Sequence, residues 1–391
     1  MKRAIEIYIH IPFCVKKCDY CDFLSKVADD KEKTEYVKAL LAEIRATKSP
    51  SNCEVISIFF GGGTPSILPS SLLSEIMAVL KERFIIANDA EITIECNPGT
   101  VDYEKLAQYK ECGINRLSFG LQSTDNDELL RLGRIHTYEG FLKSYETARL
   151  VGFDNISIDL MSGLPGQSCS SWVEMLESVA VLKLTHISAY SLIVEEDTPF
   201  AKRELNLPDE DEERKMYEMT NEVLAKFGYH QYEISNYAKE GFACRHNIGY
   251  WKRVEYLGFG VGAASFLRRH CGLDLQSPLL SNGVRYNNIK DIKVYQENSS
   301  EVTKIRCDVE DLDEVDAMEE FVFLGLRMIT GISDVEFKEE FGVSLRAVYG
   351  EMIDKLAAQG LLDFDEKILK LTRKGISVSN YVFGELLANE N

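Results

Sequence analysis

The sequence predicts an α/β fold built on parallel strands, followed by a small mixed extension and a mainly helical C-terminal part. Three observations predict it. Residues 1–195 alternate apolar strands with helix-period segments, Gly- or Pro-containing turns separate them, and the alternation stops after 195. Strands joined through helices imply right-handed crossovers and a parallel sheet. Six such units make a closed or partial β/α barrel or a doubly wound sheet. In each case functional side chains belong at the C-terminal strand ends.

The strands are expected at 4–10 (AIEIYIH), 54–60 (EVISIFF), 91–96 (EITIEC), 115–120 (NRLSFG), 155–160 (NISIDL) and 185–192 (THISAYSL). Each is a β-branched or aromatic-rich run bounded by turn residues. Helices are expected near 31–48, 69–84, 102–112, 137–151 and 168–183. Beyond 195 follow a helix over 209–228, a strand over 229–237 and short strands within 256–286. Further on come helices over 314–329 and 344–359, a hairpin in LLDFDEKILKLT and a last helix, an order that reads as a winged-helix-like unit. The division expected is 1–230, 231–305 and 306–391.

Composition narrows the function. The chain has 391 residues, 45% of them hydrophobic, with 44 basic and 63 acidic side chains giving a net charge of −19. That balance argues against nucleic acid as the main partner, because phosphate binding needs a basic footprint. No apolar run is long enough to span a membrane. MKRAIEIYIHIPFC alternates and carries Glu6 and His10, so it reads as a strand and not as a signal peptide. A cytoplasmic location is expected. Carboxylates crowd 209–213 and 308–320, as on solvated helix faces.

Three of the ten cysteines, Cys14, Cys18 and Cys21, lie within eight residues in the spacing CxxxCxxC, just after the first strand. Such a cluster in a cytosolic chain points to metal chemistry. Three thiolates on one loop suit three irons of a [4Fe-4S] cluster, leaving the fourth iron open to a ligand. The amine and carboxylate of S-adenosylmethionine (SAM) can chelate that iron, and an electron from the cluster can then cleave the sulfonium. A zinc site with His10 as fourth ligand is the alternative.

The other strand ends support SAM. Gly61-Gly62-Gly63-Thr64-Pro65 follows the second strand, where Gly62, Gly63 and Thr64 can present backbone N–H groups to the methionyl end. Glu95 ends the third strand, placed to accept from ribose hydroxyls. Gln122, Arg134 and Asp159 sit at or after later strands, and Arg134 can pair with the SAM carboxylate. Tyr8 and Tyr20 flank the cysteines and can pack on the adenosyl group. Gly258, Gly260 and Gly262 form GxGxG without βαβ context, so a tight strand with close backbone packing is expected.

YIHIPFCVKKCDYCDF, GGGTPS, ECNPGT, GLQS, RLGRIH and DLMSGLPGQ, in this order, resemble the radical-SAM oxygen-independent coproporphyrinogen III oxidase-like family. The resemblance implies a partial (β/α)6 barrel, a SAM-binding [4Fe-4S] cluster, and the cluster and SAM residues named above. Within the family two features resemble the HemW-type heme chaperones. Phe23 stands where the oxidases carry a fourth cysteine, CxxxCxxCxC. His246-Asn247-Ile248-Gly249-Tyr250-Trp251 is similar to the chaperones' HNxxYW heme motif.

Heme, as an iron macrocycle, suits histidine and aromatic rings. The resemblance accordingly implies His246, Asn247, Tyr250 and Trp251 as the heme contacts. Arg245, Lys252, Arg253, Arg268 and Arg269 against Glu255 form a local cationic patch suited to propionates. The implied function is delivery of heme to acceptor hemoproteins, with a homodimer left open and no catalytic residue assigned. Coproporphyrinogen III oxidative decarboxylation and radical-SAM methyl transfer are the alternatives, and Phe23 weighs against the first.

Overall fold

The computed structural model describes residues 2–50, 52–268 and 282–387. Arg269 and Cys271 lie outside the described residues. The chain opens with β1 (Arg3–Ile11), α1 (Asp30–Ala46), β2 (Cys53–Gly62), α2 (Ser70–Arg83), β3 (Ile86–Cys96), α3 (Tyr103–Cys112) and β4 (Arg116–Gln122). It continues through α4 (Asn126–Arg131), α5 (Tyr138–Val151), β5 (Asn155–Ser162), α6 (Cys169–Ala180) and β6 (His186–Ser191). All six expected strands form. Helix α4 was not expected, since its six residues carry too few turns for a visible period.

The six strands pair in sequence order, each parallel to the next. A doubly wound sheet would reverse its strand order part-way. This one does not reverse, and β1 and β6 do not pair with each other. The winding is that of an open, partial barrel. Helices cover one face, so the odd residues Ile5, Ile7, Ile9 and Ile11 of β1 are buried at 0–1% exposure. The alternate residues Glu6, Tyr8 and His10 take the other face. Side-chain caps fix the helix starts: Asp29 accepts from the Glu32 N–H in a capping box, and Asp102, Thr137 and Ser168 cap α3, α5 and α6.

Beyond β6 come α7 (Glu210–Lys226), β7 (His230–Glu233), β8 (Asn236–Ala238), α8 (Arg245–Trp251), β9 (Glu255–Phe259) and β10 (Ala264–Leu267). Then follow β11 (Gly283–Asn288), α9 (Ile292–Asn298), α10 (Val302–Ile305) and β12 (Arg306–Leu312). The segment 230–312 adds strands to both edges of the same sheet, so the main sheet runs seven residues past the boundary expected at 305. β8 and β7 extend it past β6, and β9 pairs parallel with β1, followed by β10, β11 and β12. The close packing expected of the GxGxG run is present. A Cβ at Gly258 would lie 2.1 Å from the Ala264 carbonyl, and one at Gly260 2.7 Å from the His10 carbonyl.

The C-terminal part comprises α11 (Glu314–Gly325), β13 (Ile332–Ser333), α12 (Asp334–Phe341), α13 (Leu345–Ala358), β14 (Leu362–Phe364), β15 (Ile368–Leu371), α14 (Arg373–Ser377) and α15 (Ser379–Leu387). Its three strands form a separate small sheet. It has its own apolar core around Phe337, Leu345, Ile353 and Val382, distinct from the main core that runs from Ile5 to Ile305. The expected hairpin is β14–β15. The helix expected over 314–329 stops at Gly325, where the chain turns toward β13.

Candidate functional site

A cavity of about 270 Å3 opens at the C-terminal ends of β1–β6. Its lining includes Cys14, Cys18, Tyr20, Cys21, Gly62, Gly63, Thr64, Glu95, Gln122, Arg134 and Asp159. Eleven residues chosen from six separate stretches of sequence thus meet in one place. They meet because each lies in, or on the loop after, a strand of one parallel sheet.

The turn after β2 is shaped to bring its backbone close. Gly62 has φ 117°, a conformation that disfavours any Cβ. A Cβ on Gly63 would stand 2.7 Å from the Phe13 carbonyl oxygen and 3.0 Å from Cys14 Sγ. Thr64 Oγ1 donates toward Cys14 Sγ at 3.5 Å and accepts from Asn97 Nδ2 at 2.8 Å. Asn97 Oδ1 accepts from Arg134 Nη2 at 2.7 Å, and Arg134 Nη1 reaches Cys18 Sγ at 3.5 Å. A polar chain therefore ties the first and second cysteines to the ends of β2, β3 and β4. Asn97 is the member that sequence reasoning passed over. Its signal was the Asn97-Pro98 step directly after a strand.

Two buried carboxyls face this cavity. Burial, with the charge of Asp159, pushes the Glu95 carboxyl up to about 8, partly offset by the Gly62 N–H that donates to it at 3.2 Å. Burial also raises Asp159, against the pull of the Ser188 hydroxyl and of Arg116. Gln122 adopts φ 73°, and its Oε1 accepts from Tyr190 Oη at 2.9 Å. Tyr20 packs edge-on against Phe200. Tyr8 lies elsewhere: it lines the neighbouring cavity, hydrogen-bonded to His10 Nδ1 at 3.0 Å.

The residues fit the groups that the sequence implied. Among the described residues no three His, Cys, Asp or Glu converge on a single ion. A mononuclear zinc site needs such convergence, whereas a [4Fe-4S] cube takes each thiolate on a different corner. His10 is not free for zinc, since its Nε2 is bonded to the Leu24 carbonyl and its Nδ1 to Tyr8. Arg134 Nε, buried and without an acceptor among the described residues, leaves a donor for a carboxylate. Cys14, Cys18 and Cys21 would hold the cluster. Gly62, Gly63, Glu95, Gln122, Arg134 and Asp159 would hold SAM, with the N–H groups and Arg134 on the methionyl end and the carboxyls on hydroxyls. A bound cluster supplies an electron at the sulfonium; the protein's part is to orient SAM and exclude water.

A second cavity of about 670 Å3 shares Phe23, Gly62 and Glu95 with the first. Tyr250, Trp251, Arg253, Tyr256, Phe266 and Arg285 are among the other residues of its wall. The expected heme motif divides here. Tyr250 and Trp251 reach this cavity, while His246 and Asn247 do not. His246, expected as a heme contact, is 1% exposed, with Nδ1 bonded to Ser57 Oγ at 2.8 Å and Nε2 to Tyr250 Oη at 3.0 Å. Burial and the nearby Arg116 lower it to about 3, so it is neutral. The short helix α8 turns the histidine into the sheet, and this turn was not legible from the motif's spelling. Of the cationic patch, Arg245 points to Asp89. Arg253 and Arg268 pair with Glu320 and Glu340 of the C-terminal part.

An open parallel barrel with three cysteines on its first loop and a glycine cradle on its second defines a radical-SAM protein. Accordingly, the Radical SAM superfamily matches residues 8–179, and the HemN C-terminal domain matches 312–378. Radical-SAM proteins take S-adenosylmethionine and a [4Fe-4S] cluster. The chain is 37% identical to the heme chaperone HemW of Bacillus subtilis over 99% of both chains. It is 35% identical to the heme chaperone HemW of Lactococcus lactis over 100% of this chain and 99% of that one. A mouse mitochondrial radical S-adenosyl methionine domain-containing protein 1 is 32% identical over 97% of this chain and 87% of its own length. The chain belongs to the HemW family. Among solved structures, coproporphyrinogen III oxidase (HemN) from Escherichia coli covers 99% of this chain and 91% of its own with a TM-score of 0.83. At 24% identity, that likeness speaks to the fold.

Proposed function

We propose that this protein is a heme chaperone that binds heme and passes it to hemoproteins, using the larger cavity beside its SAM site. The observation that carries this reading is the cavity's wall. Tyr8, Tyr250, Trp251, Tyr256 and Phe266 supply aromatic faces for a flat macrocycle, and Arg253 and Arg285 supply charge for its carboxylates. Tyr250 and Trp251 are the contacts of choice within the motif, with His246 fixing Tyr250 from behind. Membership in the HemW family supports the same reading. Phe23, 64% exposed at the junction of the two cavities, occupies the position where the resembled oxidases carry a cysteine.

No helix among the described residues is long and apolar enough to cross a membrane, and a cytoplasmic role is part of the proposal. The test is a heme titration of the anaerobically reconstituted protein followed at the Soret band, beside turnover of coproporphyrinogen III. Near-stoichiometric heme binding without decarboxylation is expected. Absence of heme binding, or oxidase turnover, would overturn the reading.

A further inference from the structure

One end of the larger cavity carries hydrogen-bond donors with no acceptor among the described residues. Arg253 is 3% exposed and holds a left-handed backbone, φ 53°, just after α8. Its Nε meets Glu320 at 3.2 Å and its Nη1 meets Glu340 at 2.9 Å, yet its Nη2 has no acceptor among the described residues. Arg285 on β11 repeats the pattern: Nη1 meets Glu320 at 2.7 Å, and Nε is unpaired. The indole Nε1 of Trp251 is a third buried donor without an acceptor among the described residues. Both guanidinium groups lie over the Phe266 ring, at 5.3 and 5.8 Å from its centroid. All three donor residues line the cavity.

Buried polar groups are almost always paired, and leaving a charged donor unpaired is costly. Here Glu320 and Glu340 are shared among three guanidinium groups: Arg253 meets both, Arg285 meets Glu320 and Arg268 meets Glu340. Three donors without an acceptor among the described residues, two of them on guanidinium groups, suit an oxyanion, and in the heme reading that oxyanion is a carboxylate. Glu95 is the one carboxyl group in the described lining, and it sits where the cavity meets the SAM pocket.

We propose that Arg253 Nη2, Arg285 Nε and Trp251 Nε1 form a carboxylate-binding subsite that receives one acidic edge of the ligand. The subsite rests on the heme reading, in which that edge is a heme propionate. Because Glu320 and Glu340 already hold Arg253 from the C-terminal part, the ligand carboxylate completes a cluster shared by the barrel and that part.

The test compares heme with heme dimethyl ester, whose carboxylates are capped, in Soret titrations of the full-length reconstituted protein. The wild type is expected to bind heme at least tenfold more tightly than the ester. Arg253→Gln is expected to erase that preference while keeping affinity for the ester. Arg253→Gln also strips Glu320 and Glu340 of a partner, so Trp251→Phe serves as the second variant. It removes one donor, keeps an aromatic face, and is expected to reduce the preference severalfold. Equal wild-type affinity for both porphyrins, or full preference retained in both variants, overturns the subsite and leaves the heme reading standing. A wild type that binds neither porphyrin sinks both.

Discussion

Replacing Gly63 by alanine tests whether the glycine cradle sets the position of the cluster loop. An added Cβ would lie 2.7 Å from the Phe13 carbonyl oxygen, 2.9 Å from its nitrogen and 3.0 Å from Cys14 Sγ. Ordinary contact begins near 3.4 Å, so the carbonyl must retreat by 0.7 Å and the sulfur by 0.4 Å. The loop cannot easily give. Phe13 is 1% exposed, the Cys14 N–H donates to the Lys26 carbonyl at 2.9 Å, and the Gly63 N–H donates to the Ile11 carbonyl at 2.9 Å. Overpacking of this kind costs about 1–3 kcal/mol. Metal sites tolerate ligand shifts of only about 0.2 Å.

The expected result is therefore a folded protein with a lowered melting temperature and less than about half the iron of the wild type after identical reconstitution. Iron and sulfide are assayed per chain, with circular dichroism as the check on folding. Gly384→Ala, at a helical position with nothing within 4 Å, is the control and should leave iron unchanged. A Gly63→Ala protein with full iron content and unchanged SAM affinity would refute the argument that this close approach matters.

Other perturbations have equally definite outcomes. Arg134→Lys replaces a planar group that spans Asn97, the Gly120 carbonyl and Cys18, and a single ammonium cannot reach all three. SAM affinity should fall about tenfold by equilibrium binding, an effect of the size expected for a lost charge-assisted hydrogen bond. An unchanged affinity would remove Arg134 from the SAM site. Burial pushes Glu6 up to about 9, so its folded-state proton stabilises the protein fully below the ordinary carboxylate range, and that stabilisation is lost as pH rises toward 9. Glu6→Gln lacks this linkage and should gain on the wild type by at least ~1 kcal/mol between pH 5.5 and 8 in urea denaturation; a constant difference would contradict the buried neutral acid. His246→Ala should lower stability by about 1–3 kcal/mol, because it strands the Tyr250 hydroxyl while Ser57 keeps its bond to Glu6, and a heme Soret maximum should stay in place. A shifted maximum would make His246 an iron ligand despite its burial.

The residues at the strand ends were readable in the sequence because chemistry there is local and repetitive. A parallel strand announces itself by β-branched runs, its C-terminal end must open toward one rim, and the cysteines, glycines, Glu95 and Gln122 lie at or just beyond such ends, with Asp159 inside β5 and Arg134 on the segment after α4. Asn97 was in view in the same stretches, but its role depends on reaching Thr64 and Arg134 from other strands. The short elements α4, α8, α9 and α10 were not readable, since four to seven residues do not complete enough turns to show a period.

By itself, then, the sequence determined the parallel α/β winding and the gathering of the cysteine loop and the glycine turn at one rim, each specified by residues close together in the chain. Only the tertiary structure decided the rest. It set β9–β12 beside β1 and β7–β8 beside β6. It also turned His246 into the sheet, where Ser57 and Tyr250 hold both its nitrogens. It neutralised part of the cationic patch with Glu320 and Glu340, which lie more than sixty residues away in the chain, and left Arg253, a cavity-lining residue, with one buried donor that has no acceptor among the described residues. Which partners a buried charge finds depends on the packing of distant segments, and no local pattern of residues encodes that.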